Sequence, residues 1–322
     1  MSTSRSAAYV QIHIAVILFG FTAILGKLIA FEQLALVWHR MWISVLGLIF
    51  IPGVLCGLIQ MTRKDILRFA GVGVLVSIHW VTFYGCIKIA DSSSIALACL
   101  ATSTLFTSLL EPLVTRSKFQ PVELILGIIV IIGLLMVLNV GPTYYFAIVV
   151  GLISAFFAAL FSVFNKKFLR NQNTLSVSVL ELGAGWLFLS LIIPLYEGGF
   201  DLTSYSLFRD DLISKHALFG LHLHSFVYLI ILGLACTSLA YALSLTSLRV
   251  LSAFTANLAI NLEPIYGIVM AALLFQENQE LNLWFYTGTA IILGSVLIHP
   301  FLVKAQDRHV AKRSLRASNH KG

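Results

Sequence analysis

The sequence predicts an all-α membrane protein with ten transmembrane helices in two inverted five-helix repeats. Long apolar runs predict the helices, basic residues on alternate flanks predict how they thread the bilayer, and faint internal similarity predicts the repeat. The chain is 59% hydrophobic and 11% charged, against about 25% charged residues in ordinary soluble domains. A soluble fold of this composition would lack polar surface, whereas lipid solvates apolar side chains directly. The net charge of +7 does not point to nucleic acid, because the basic residues sit at segment ends without interleaved aromatics for base stacking. Cys56, Cys86, Cys99 and Cys236 all lie inside apolar runs, with no C-x-x-C pair and no histidine-rich neighbourhood. Packing is expected of them, and neither a metal nor any other cofactor is implied.

A span needs about 20 mostly apolar residues. Such runs fall near 10–30, 34–59, 66–89, 92–114, 121–140, 143–164, 175–197, 224–247, 251–275 and 283–303. The first is expected to remain as a helix, since no small-residue cleavage pattern follows it. Lipid offers nothing to an unpaired backbone, so each run is expected to be helical. The strict alternation of a membrane β-barrel is absent.

Lysine and arginine then orient the spans. One set of flanks holds Arg5; Arg63, Lys64 and Arg68; Arg116 and Lys118; Lys166, Lys167 and Arg170; Arg249; and the six from Lys304 to Lys321. The other set holds only Arg209 and Lys215, among a majority of acidic residues. Basic flanks alternate loop by loop, as the positive-inside rule requires. Both termini are therefore expected in the cytoplasm of what reads as a bacterial inner membrane protein. The expected divisions are 1–141, 142–303 with an outer loop at 198–223, and a basic tail at 304–322.

The repeat rests on short matches. SSSIALACLATSTLF from Ser92 aligns with SAFTANLAINLEPIY from Ser252, setting Ser103 opposite Glu263 and Thr104 opposite Pro264. Gly127 and Gly133 fall opposite Gly288 and Gly294, and IFIPG around Pro52 matches LIIPL around Pro194, which sets His39 opposite Glu181. A five-helix repeat starts its second copy on the opposite side of the membrane, so the halves are inverted. Inverted repeats are a construction of alternating-access carriers, with the substrate at the midplane between them.

LFGFTAILGK at 18–27, WHRMWI around Arg40, the two serine-led turns and NLEPIYG at 261–267 together resemble the EamA-type family of the drug/metabolite transporter superfamily. The resemblance covers the chain to about residue 303. It implies a ten-helix carrier of small metabolites, often amino acids or related solutes, frequently an exporter. One departure is that Ser103-Thr104 stands where many members have a proline, so whether the fourth helix breaks there is left to the structure. A second Glu-Pro, Glu111-Pro112, lies eight residues further on and is not its equivalent.

Ionisable residues inside spans are costly and mark function or pairing. Glu263, beside Pro264 and near Asn257 and Asn261, either meets a polar solute or caps backbone freed by the proline. His79, with Trp80 and Tyr84 close by on the same span, is a proton or substrate site or a tie to a neighbouring helix. Lys27 and Arg40 lie in the outer third of the first two spans, where they can meet a substrate carboxylate or snorkel. Snorkelling or pairing with Glu32 is the expectation for Arg40, and Lys27 is the stronger gate residue of the two. Glu181 is expected to pair with Lys166 or Lys167. The substrate wall is expected from His79, Trp80, Tyr84, Ser103, Thr104, Asn257, Asn261 and Glu263. If transport is proton-coupled, Glu263 or His79 is the expected proton carrier.

Other motifs fail. The stretch from Gly20 to Lys27 has the wrong spacing for a phosphate loop and continues into Leu28, and no hydrolase, metalloprotease or dinucleotide pattern is present. A secondary carrier is expected rather than an enzyme or an ATP-driven pump. The alternative is a membrane-embedded enzyme or lipid-handling protein using His79 and Glu263 as acid and base. The expected partners are a small-molecule substrate and the lipid bilayer, with monomer and homodimer both open.

Overall fold

The computed structural model describes residues 5–116, 121–137, 141–168, 172–197, 205–207, 212–213, 223–248, 259, 262–276, 281–295, 297–298 and 301–302. These residues are almost entirely helical. α1 (Arg5–Leu28) and α2 (Gln33–Ile49) are followed by the short α3 (Val54–Ile59) and by α4 (Arg63–Ala90). α5 (Ser93–Ala101), α6 (Ser103–Thr115) and α7 (Pro121–Val137) complete the first half. In the second half, α8 (Tyr145–Phe168) and α9 (Thr174–Glu197) precede α10 (Ser225–Ile230), a π-helical stretch (Ile231–Leu239) and α11 (Ala240–Leu248), which run on from one another. α12 (Glu263–Phe275) and α13 (Leu283–Ser295) follow. A described helix overlaps each of the ten stretches singled out by hydropathy.

Five described helices are long and apolar enough to cross a membrane, and α5 with α6 forms one further bent pair. The remaining apolar helices, α2, α7, α12 and α13, are shorter over their described residues. Many large apolar side chains face outward, among them Phe50, Ile59, Leu113, Leu195, Leu273 and Leu283. In water such a surface would be unsustainable, and against lipid it is the expected exterior.

Local chemistry sets the boundaries. Thr62 caps α4, its hydroxyl oxygen accepting from the Asp65 amide at 3.2 Å. Asp91 ends that helix in the left-handed region at φ 48°. Ser92 then caps α5 through the Ile95 amide at 3.4 Å, so two helices meet across a single turn.

The fourth apolar stretch does break, with no proline at the bend. Thr102 turns its amide (3.0 Å) and its hydroxyl (2.6 Å) onto the Cys99 carbonyl. The axes of Ser93–Ala101 and Leu105–Val114 differ by 41°. A threonine bonded back to its own helix competes with the regular ladder and bends it. In the second half the Leu262 amide bonds back to the Ala259 carbonyl at 2.9 Å, and α12 starts at Glu263 as α6 starts at Ser103. The residues that precede the two helices have nearly the same backbone, φ −72°, ψ −9° at Thr102 and φ −83°, ψ −9° at Leu262. Ser103 and Glu263, paired by alignment, thus open equivalent helices.

α4 is the central post, packed on α8 and α9, while α1 packs on α11 and α12 and α2 lies between α9 and the π-helical stretch. α4 and α9 approach backbone to backbone: a methyl on Gly73 would strike the Glu181 carbonyl, and one on Gly185 the Gly73 carbonyl. Small residues permit such crossings in lipid, where van der Waals packing drives association.

Candidate functional site

Arg40 is the group around which the interior is arranged. It sits two turns into α2 and is 4% exposed, contrary to the snorkelling or Glu32 pairing expected of it. Glu32 is exposed, and the Arg40 side chain turns inward instead. Its guanidinium lies over the Trp80 ring, 3.8 Å from the centroid. Its Nη1 donates to the Tyr84 hydroxyl at 2.7 Å, and its Nε donates to Thr237 Oγ1 at 3.0 Å. Snorkelling needs a route to water along the helix surface, and α2 here is flanked by α4, α9 and the π-helical stretch.

The supports are specific. Trp80 and Tyr84 are four apart on α4 and so project from one face. Tyr84 is fully buried; its hydroxyl also bonds Thr22 of α1, whose own hydroxyl donates to the Phe19 carbonyl at 2.6 Å. A methyl on Gly26 would collide with the Tyr84 ring, so α1 offers a flat seat for it. Thr237 lies in the π-helical stretch and donates to the Leu232 carbonyl five residues back at 2.9 Å. Widening the helix rotates Thr237 onto Arg40, and Ser238 likewise bonds the Gly233 and Ser44 carbonyls. Single π-helical turns recur at functional positions for this reason.

No carboxylate among the described residues lies within 4.0 Å of Arg40. Glu263, at the start of α12, is within electrostatic reach of it. Gly20 of α1 abuts the Glu263 carbonyl and the Gly267 amide, and His13 bonds the Tyr266 hydroxyl at 3.2 Å, which together fix the first turn of α12 against α1. The site therefore holds a buried cation stacked on an aromatic face, with an acid nearby but not paired to it.

The other sequence candidates divide. His79 faces α8, where its Nδ1 lies 3.0 Å from the Ser154 carbonyl and 2.9 Å from the Ser154 hydroxyl. That hydroxyl donates in turn to the His79 carbonyl at 3.0 Å. These bonds tie His79 to α8. His79 and Glu263 share no hydrogen bond or ion pair. Ser103 sits at the helix break, the side chain of Thr104 and all of Asn257 and Asn261 lie outside the described residues, and Glu181 lies elsewhere, at the α8–α9 contact.

Lys27 belongs to a different place from Arg40. It is buried, 4.0 Å from Asp91 Oδ1, with its ammonium 5.0 Å over the Phe275 ring. With Glu32, Gln33, Lys88 and Asp91 it lines a cavity of about 450 Å³ at the ends of α1 and α4. The Lys88 ammonium donates to the Ile29 carbonyl there. Glu181 departs from its expected ion pair: Asn165 Nδ2 donates to its Oε2 at 3.3 Å, while Lys167 reaches the Val114 carbonyl at 2.9 Å.

Sequence reading missed Thr237 and Asn165. Thr237 stands beside Ser238 and Asn165 beside Lys166 and Lys167, and only the fold shows which neighbour each serves.

Comparison with known proteins agrees with this architecture. No curated protein matches the chain. A solved structure described only as the crystal structure of a protein is 15% identical, covers 94% of this chain and 99% of its own, and superposes with a TM-score of 0.61. That likeness extends the fold over both halves. The model of the EamA-like transporter family matches twice, over residues 6–139 and again over 145–299. The chain is thus a two-repeat, multi-pass integral membrane protein, and it belongs to the EamA-like transporter family.

Proposed function

We propose that the chain is a secondary transporter that exports small carboxylate-bearing metabolites, such as amino acids or related solutes, by alternating access. The observation that carries this reading is Arg40. A buried guanidinium is expensive to keep without an anion, and this one has only neutral partners in contact. Nη2 has no hydrogen-bond partner among the described residues, which leaves donors for a bidentate carboxylate. Glu263, across from it on α12, suits the ammonium group of a zwitterion. Trp80 supplies an apolar wall, and Ser103, at the repeat-related helix start, supplies a polar one.

Five long helices, one bent pair and four shorter apolar helices support ten crossings. The doubled family match supports two halves, and five crossings in each would invert one against the other. The basic flanks support cytoplasmic termini in a bacterial inner membrane. Untargeted metabolite profiling of cells lacking or overproducing the protein should show a carboxylate-bearing solute retained or depleted inside. The same solute should then exchange into proteoliposomes containing the parent chain and fail to exchange with Arg40→Gln at equal protein. Exchange that survives Arg40→Gln, or profiles unchanged by gene dosage, would overturn the reading.

A further inference from the structure

We propose that Glu181 is a proton-binding site of this protein, closed as an acid–amide ring with Asn165. Glu181 is 5% exposed, on α9, one to two turns from the end that carries the basic flanks. Its Oε2 accepts from Asn165 Nδ2 of α8. Two acceptors are left over: Glu181 Oε1 and Asn165 Oδ1 are both buried and have no partner. A buried oxygen without a donor is costly, and an ionised one costs more. Both acceptors belong to the same two side chains, already joined through their other atoms. One hydrogen placed on Glu181 Oε1 and donated to Asn165 Oδ1 satisfies both at once. The paired groups then form two antiparallel hydrogen bonds, as a carboxylic acid does with an amide.

Among the described residues the surroundings offer no other counter-ion. On α4, Arg68 pairs with Asp65 at 3.4 Å and lies over Phe168, His79 is tied to Ser154, and Gly73 brings only backbone against Glu181. Arg63 and Lys64 are exposed at the head of that helix. On α2, Arg40 is held by Tyr84 and Thr237, and His39 bonds the Tyr205 carbonyl at 3.0 Å. Cys56 of α3 is exposed. Lys167 of α8 is engaged with Val114, and the side chain of Lys166 lies outside the described residues. α11 contributes no ionisable side chain among the described ones. The ring can lose its proton only when the α8–α9 contact loosens and water reaches Oε1, the proton passing to that water. Its coupling to transport rests on the function proposed above; the protonated ring itself does not.

Infrared spectroscopy of the purified full-length chain in lipid at neutral pH tests the ring. The parent should show the carbonyl stretch of a protonated carboxyl, Glu181→Gln should lack it, and Glu263→Gln should retain it. Asn165→Leu should shift the band by removing its hydrogen-bond partner. Glutamine keeps an amide–amide ring, so Glu181→Gln should unfold at nearly the parental temperature. A protonated-carboxyl signal indifferent to Glu181→Gln, or abolished only by sodium ions, would overturn the proton site. For coupling, the solute identified by profiling is loaded into proteoliposomes under a pH gradient. Glu181→Gln should lose gradient-driven accumulation at least tenfold while keeping solute exchange. Accumulation equal to the parent's would overturn the coupling role with transport itself demonstrated. Absence of any transport by the parent would overturn the function reading instead, with the infrared result still deciding the ring.

Discussion

Arg40 brings three separate helices to one atom group: its own α2, Trp80 and Tyr84 of α4, and Thr237 of the π-helical stretch. Stacking on a desolvated indole is worth about 2 kcal/mol or more, and two hydrogen bonds from a charged donor add about 1.5–3 kcal/mol each. These offset a desolvation penalty of several kcal/mol without exceeding it clearly. A residue kept at break-even for stability has its reason elsewhere, and two substitutions separate the roles. Arg40→Met should leave the thermal unfolding temperature in detergent unchanged or raised, because an apolar side chain of similar length replaces a buried ion, yet it should abolish solute exchange. A marked fall in that temperature would make Arg40 a structural strut instead. Arg40→Lys keeps charge but loses the planar fork and the stack, and exchange should fall at least tenfold. Lys27→Ala, at the separate cavity beside Asp91, should cost less than Arg40→Lys in the same assay. This reverses the ranking that followed from expecting Arg40 to snorkel or pair with Glu32. Counting residues from a helix end places both cations in the outer third of their spans, but gives no azimuth. Azimuth decided the outcome: Arg40 points at α4, where Trp80 and Tyr84 wait four residues apart.

The helix starts at Ser103 and Glu263 carry the clearest structural trace of the repeat. Proline marks the second in sequence, at Glu263-Pro264, and nothing obvious marks the first. Thr102 does the work in the first half by bonding its hydroxyl and amide to the Cys99 carbonyl, so a motif search for proline passes over it. The π-helical stretch was equally illegible, since its hydrogen bonds reach five residues back through Thr237 and Ser238 and leave no periodic signature in nine residues. Equivalence of the two helix starts yields a test. Thr104 is the second residue of α6, where an amide has no partner within its helix, and Pro264 occupies the matching position in α12. Thr104→Pro should therefore cost at most about 1 kcal/mol, since a proline in the first turn removes no ladder bond. Leu109→Pro, one turn deeper and past the break, should cost about 3 kcal/mol or more. Thermal unfolding of the two variants in one detergent measures the difference. Equal destabilisation would mean that α6 does not begin where α12 does.

At the scale of the molecule, hydropathy located every stretch in which a helix is described, because a bilayer leaves few alternatives for a run of 20 apolar residues. The site was legible in part: Trp80, Tyr84, Glu263 and Arg40 stand out as polar or aromatic groups inside spans. Their grouping was not, because it depends on α2 lying between α9 and the π-helical stretch rather than beside α1. The charge pattern makes a claim about the whole chain that side-chain packing cannot make. Loops with basic residues alternate with loops nearly free of them, and one missing or extra span would put Arg63, Arg116 and Lys167 on different sides. On the proposed ten-span reading an even number of crossings puts the first and last residues together, and the basic tail at 304–322 favours the inside. In a background lacking the four native cysteines, Ser318→Cys should resist a membrane-impermeant thiol reagent in intact cells and react after lysis. Ser204→Cys, in the loop at 198–223, should react with intact cells. Labelling of Ser318→Cys before lysis would move the tail outside. If Ser204→Cys then also became inaccessible, the whole chain would be inverted. If Ser204→Cys stayed reactive, the number of crossings between the two positions would be even rather than odd, and the ten-span arrangement would fail.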